Sequence, residues 1–106
     1  MNASKSAKPN YRSYDSIGLF LRDSRIYMRS KNKEEFTQLS IAKKCGYTSS
    51  QHISNIERGL TLPSLSLSVK LMKFYDIERE AMYELFLKYR EGQYRKVFLA
   101  KKAKQV

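Results

Sequence analysis

The chain has one cysteine, Cys45, so it closes no disulfide of its own and offers no cysteine-rich zinc site. His52 is its one histidine, which leaves no ligand cluster for a metal. Tryptophan is absent, proline occurs twice and glycine four times, and strand-forming residues do not gather into alternating runs. That scarcity of chain breakers and of two-residue alternation points to helices. No apolar run approaches the roughly 18 residues of a membrane span, and the polar N-terminus carries no signal-peptide apolar segment. The expected location is the cytoplasm, with no membrane partner. Catalytic constellations are missing too: no paired carboxylates, no nucleophile–base set and no phosphate-cradling glycine loop. An enzyme is not expected, and no cofactor is called for.

What is abundant is positive charge. Twenty-one Lys and Arg stand against ten acidic residues, a formal net charge of +11 on 106 residues. So small and basic a chain points to nucleic acid, because each phosphate it neutralises releases condensed counterions. An anionic membrane surface is the rival. The excess lies at the two ends: Lys5, Lys8 and Arg12 precede Tyr14, and seven basic residues against Glu91 lie between Lys88 and Lys104. Composition therefore suggests a polyanion without placing it on the middle of the chain. The length suits one domain with its own core, and not two.

Periodicity divides the chain into a basic arm over residues 1–12, a helical domain over 13–90, and a C-terminal helical extension with a basic tail over 91–106. Ser13 or Asp15 is expected to cap a first helix whose inward stripe is Ile17, Phe20, Leu21, Ser24 and Met28. The run from Ser30 to Lys33 breaks the pattern and reads as an exposed basic loop. Thr37 suits the N-cap of a second helix with Leu39 or Phe36, Ile41, Ala42 and Cys45 inward, closed by Gly46. Thr48, Ser49 and Ser50 are three possible caps for a third helix, with Ile53 and Ile56 inward and Gly59 at its end. Pro63 and Ser64 open a fourth, expected to turn Leu65, Val69, Met72 and Tyr75 to the core. A fifth starts near Glu78, presents Met82, Leu85, Phe86 and Tyr89, and either ends at Gly92 or is weakened there.

Two short helices, each closed by glycine and joined by a tight turn, form a helix-turn-helix. They must cross closely, so a small residue is needed where they touch, and Ala42 supplies it. The exposed side of the third helix carries Ser50, Gln51, Ser54, Asn55 and Arg58. These are short donors and acceptors rather than an alternation of Glu and Lys, as suits a helix that reads base edges in the major groove.

The pattern resembles the Cro/C1 (XRE) helix-turn-helix family. The matching residues are Ile17-Gly18, Leu21-Arg22 and Arg25, then Thr37-Gln38 and Ile41-Ala42. Gly46 follows, then the run Ile53-Ser54-Asn55-Ile56-Glu57-Arg58-Gly59, then Pro63-Ser64. The resemblance covers residues 15 to 77 and implies an all-α, compact five-helix, lambda-repressor-like DNA-binding domain in a bacterial or phage-type transcriptional regulator. It implies that Ser50, Gln51 and Asn55 face base edges, with His52 beside them. It implies phosphate contacts from Gln38, Thr61 and Ser64, to which the cations Lys43 and Arg58 add, and a structural salt bridge between Arg25 and Glu57. The chain departs from the family in two places. Gly46 and Ile53 are seven residues apart, one more than usual, and the segment between Arg25 and Thr37 is longer. If Thr48 caps the third helix, Gln51 closes a capping box. If Ser49 or Ser50 does, Gln51 is free to meet a base.

The expected function is a sequence-specific, double-stranded-DNA-binding repressor or autoregulator acting on the nucleoid. Tyr83, Phe86, Tyr89, Tyr94 and Phe98 offer a homodimer surface through the C-terminal helices, which suits paired half-sites about 34 Å apart. No small-molecule effector is evident. A protein-interaction module and an architectural DNA packager are the alternatives, and the amide-bearing third helix argues against the packager.

Overall fold

The computed structural model describes residues 7–99, and every regular element among them is helical. A short 3-10 helix (Tyr11–Ser13) is followed by α1 (Ile17–Arg29), α2 (Gln38–Lys44), α3 (Gln51–Glu57), α4 (Leu65–Tyr75) and α5 (Arg79–Phe98). Five α-helices are what the periodicity requires, and α1 is their hub: it packs on α3, α4 and α5, while α2 leans on α3. The core comprises Ile17, Phe20 and Leu21 of α1, Ile41 and Ala42 of α2, Ile53 and Ile56 of α3, Leu67, Leu71 and Tyr75 of α4, and Ala81, Met82 and Leu85 of α5. Burying each large aliphatic of this set contributes roughly 1.5–3 kcal/mol.

The helix starts are set by hydroxyls. Thr37 Oγ1 accepts the Ser40 amide at 3.0 Å, as the sequence requires, and Ser64 Oγ accepts the Leu67 amide at 3.1 Å. A cap of this kind is worth about 1 kcal/mol. The first cap is different from the expected one. Ser13 lies inside the 3-10 helix and the Asp15 carboxylate turns to Lys88, so Ser16 caps α1 through the Leu19 amide. Gly46 and Gly59 both take positive φ, at 93° and 79°, which ends the two short helices.

Two further expectations are corrected, and two open alternatives are decided. Residues 1–6 of the basic arm lie outside the described residues, but its remainder is docked. Asn10 caps the 3-10 helix, Tyr11 is buried in the core, and Lys8 pairs with Asp76. A large aromatic ring near the end of the arm gains more by burial than by staying in water. In α4, Leu65 and Val69 are exposed, and Leu67, Ser68 and Leu71 face inward with Tyr75. Both stripes have helical spacing, and contact with α1 and α5 selects the one that continues into Tyr75. Of Leu39 and Phe36, it is Phe36, just before α2, that packs inward: its ring lies 6.4 Å from that of Tyr75, while Leu39 is exposed. Finally, α5 runs through Gly92 without a break, so the boundary at residues 90 and 91 falls inside one helix; the tail from Lys101 lies outside the described residues.

Candidate nucleic-acid interface

The third helix is short, and its position depends on its neighbours. At its C-terminal end the Glu57 carboxylate is buried and accepts both Arg25 Nε at 2.7 Å and Arg25 Nη2 at 3.0 Å. Gln38 Nε2, at the start of α2, donates to the same carboxylate at 2.8 Å, and Arg25 Nη1 reaches the Phe36 carbonyl oxygen at 3.2 Å. One carboxylate thus ties α1, α2 and α3 together. A paired and hydrogen-bonded charge of this kind is retained because removing either partner leaves the other stranded in a low-dielectric interior. Tyr75 is buried beside this pair, and burial, with the Glu57 charge, raises its hydroxyl well above the usual tyrosine range.

The turn settles the start of α3. Ser50 precedes the first helical residue but has helical φ and ψ and makes no side-chain cap, and Ser49 Oγ accepts the Gln51 amide at 3.3 Å. The Gln51 side chain is therefore not drawn back into a capping box. It lies along the exposed face of α3, and its Nε2 donates to Asn55 Oδ1 at 2.9 Å. Arg58 Nη2 donates to the same oxygen at 2.9 Å. Gln51, Asn55 and Arg58 consequently form one hydrogen-bonded row about two helical turns long. His52 is half-buried, its ring 4.8 Å from that of Tyr47. Tyr47 went unnoticed in the sequence; an aromatic ring in a turn otherwise made of small residues was the available signal.

The residues assigned to phosphate are more scattered. Gln38 is occupied with Glu57 on one side, as a brace for α3. Ser64 Oγ caps α4 from the exposed connection between α3 and α4, where Thr61 is also exposed. Lys43 is exposed on α2, whereas its neighbour Lys44 turns to Glu35 at 2.7 Å and lies over the Phe36 ring. Cys45 is half-buried, and desolvation pushes its thiol up, away from the reactive thiolate. Among the described residues no group of His, Cys, Asp and Glu is placed to hold a metal ion, and no helix is long and apolar enough to cross a membrane.

The geometry is that of two short helices packed together, the second with a polar outer row and a buried anchor. Residues 31–81, from the loop after α1 to the first turn of α5, match the family model described as helix-turn-helix. That segment is a helix-turn-helix of the Cro/C1 (XRE) type, set in an all-helical, lambda-repressor-like fold, and it supports a DNA-binding helix-turn-helix regulator. Comparison with curated proteins and with solved structures gave no match.

Proposed function

We propose that this protein is a sequence-specific repressor or autoregulator that binds double-stranded DNA as a homodimer in the cytoplasm. The observation that carries the reading is the row Gln51, Asn55 and Arg58 on the outer face of a helix anchored through Glu57 to two others. Side chains that discriminate bases need a rigid support, because each ångström of slack weakens a hydrogen bond. Ser50, Gln51 and Asn55 meet base edges, with His52 alongside. Gln38, Thr61, Ser64, Lys43 and the basic loop at residues 31–33 meet phosphates and set the register.

Dimerisation through α5 is supported by the stripe Tyr83, Leu87, Tyr94 and Phe98, all exposed beyond the last buried core residue or beside it. One short recognition helix supplies too little specific affinity by itself, and a two-fold pair doubles the base contacts. The same stripe favours a second reading, in which α5 holds another regulator. Selection from random duplexes at near-physiological salt, with the stoichiometry of the selected complex, tests both. A palindromic winner bound by two chains is expected. Binding without sequence preference would sink the specific regulator, and a single chain per site would sink the dimer.

A further inference from the structure

Arg58 closes α3, yet its guanidinium is in no ion pair among the described residues. Its neighbour Glu57 is held in the interior by Arg25. What Arg58 meets is the Asn55 carboxamide, and the polarity of that contact has only one solution. A guanidinium carries donors alone, whereas the two ends of a carboxamide are a donor and an acceptor of nearly the same shape. The end of Asn55 turned toward Arg58 must be its oxygen. That oxygen in turn obliges Gln51 to present its NH2 group, as it does at 2.9 Å. The direction of the whole row is therefore set from its Arg58 end.

We infer that Arg58 is a positioning residue for base readout, holding Asn55 with its NH2 outward so that Asn55 selects guanine and Gln51 selects adenine. The inference rests on α3 being the helix that enters the major groove. With both lone pairs of Oδ1 engaged, Asn55 shows the groove nothing but N–H donors. Guanine complements them with two acceptors, O6 and N7; adenine sets one acceptor, N7, beside an amino group that opposes donor to donor, cytosine offers only an amino donor, and thymine the single acceptor O4. The paired contact that a free asparagine makes to adenine needs the amide oxygen, which Arg58 and Gln51 have taken. Gln51 commits one N–H to Asn55 and keeps the other beside its own free Oε1, which is the donor and acceptor that adenine N7 and N6 require. Arg58 thus governs a base that it does not touch.

The test is selection from random duplexes with the full chain and with Asn55→Ala, Arg58→Ala and Arg58→Lys, followed by competition between duplexes differing at one base pair. The position relaxed by Asn55→Ala identifies the pair that Asn55 reads. There the unmodified protein is expected to favour guanine over adenine by about tenfold, and Arg58→Ala to shrink that to about twofold as the carboxamide turns over freely. Arg58→Lys, which again presents only donors, restores the preference for guanine. Arg58 is exposed, so circular dichroism and melting should be unchanged in both variants. Adenine at that position in the unmodified protein overturns the inference while leaving α3 as a base reader. So does an Arg58→Ala protein that loses affinity equally for every sequence. Binding with no preference at any position defeats the reading of α3 itself, and the inference with it.

Discussion

Gly18 in α1 lies against the main-chain carbonyl oxygen of Ile56 in α3, with no room between them for a side chain. A β-carbon built on Gly18 overlaps that oxygen and meets the Glu57 carbonyl group next. The approach explains how a seven-residue helix keeps a defined position: its last turn rests on bare backbone, and the Arg25–Glu57 pair fastens it there.

Gly18→Ala is therefore expected to destabilise the protein, although alanine is favoured over glycine inside a helix by about 1 kcal/mol. The obstacle is backbone, which gives way less readily than a side chain, and overpacking of this kind costs about 1–3 kcal/mol. Urea unfolding measures it. An increase in stability would show that the two helices part without strain.

Glu57→Ala leaves the Arg25 guanidinium buried without its partner and takes from Gln38 its acceptor. A loss of about 3–5 kcal/mol is expected. Replacing Arg25 and Glu57 together by methionine should cost much less than the two single changes added, since no charge is then stranded. Additive losses in that double-mutant cycle would mean that the pair acts only through packing.

Gln51→Ala and Asn55→Ala stand on the exposed side of α3 and should change the unfolding free energy by no more than about 0.5 kcal/mol. Sequence preference at one base pair each should relax at the same time, each contact being worth about 1–3 kcal/mol. Unchanged preference in both variants removes them from the set of base readers.

At high pH, stability should fall in a window set by Tyr14. Burial first, then the hydrogen bond it donates to Asp23 at 2.5 Å and the charge of that carboxylate, push its hydroxyl up from 10.0 to about 12. The folded state keeps the proton that the unfolded chain gives up, so this stabilisation is complete below pH 10 and declines as pH rises toward 12. Tyr75, raised in the same direction, adds to the decline. Unfolding measured across that range, with tyrosinate absorbance followed in parallel, checks the sign; rising stability would contradict it. Tyr14→Phe should flatten part of the slope.

Phe98→Ser and Tyr94→Ser, placed on the exposed stripe of α5, should leave the monomer folded. If that stripe joins two chains, they should weaken self-association on the order of tenfold or more. Sedimentation equilibrium reads the change. An unaltered dimer would move the interface elsewhere.

Much of this molecule is written locally. Thr37, Gly46, Gly59 and Ser64 each fix a helix end through their own backbone or hydroxyl chemistry, so the helix-turn-helix and its polar outer face were legible before any contact was known. Hydrophobic periodicity also identified most of the inward residues of α1, α3 and α5. These features act within a turn or two of the chain, where sequence and structure are nearly the same information.

Wherever two local solutions were equally good, a distant contact decided. Tyr11 left the arm for the core, α4 chose Leu67 and Leu71 over Leu65 and Val69, and Ser16 took the cap from Ser13 and Asp15. Gly92 did not stop α5, because the entropy cost of one glycine is smaller than the gain from continuing an established helix. The Arg25–Glu57–Gln38 cluster and the contact of Gly18 with Ile56 likewise exist only once the helices are in place. The sequence alone determined which helices form and which face of α3 is polar. Tertiary structure decided how that face is held, because pairing a buried carboxylate and excluding a β-carbon both depend on atoms brought close only by folding.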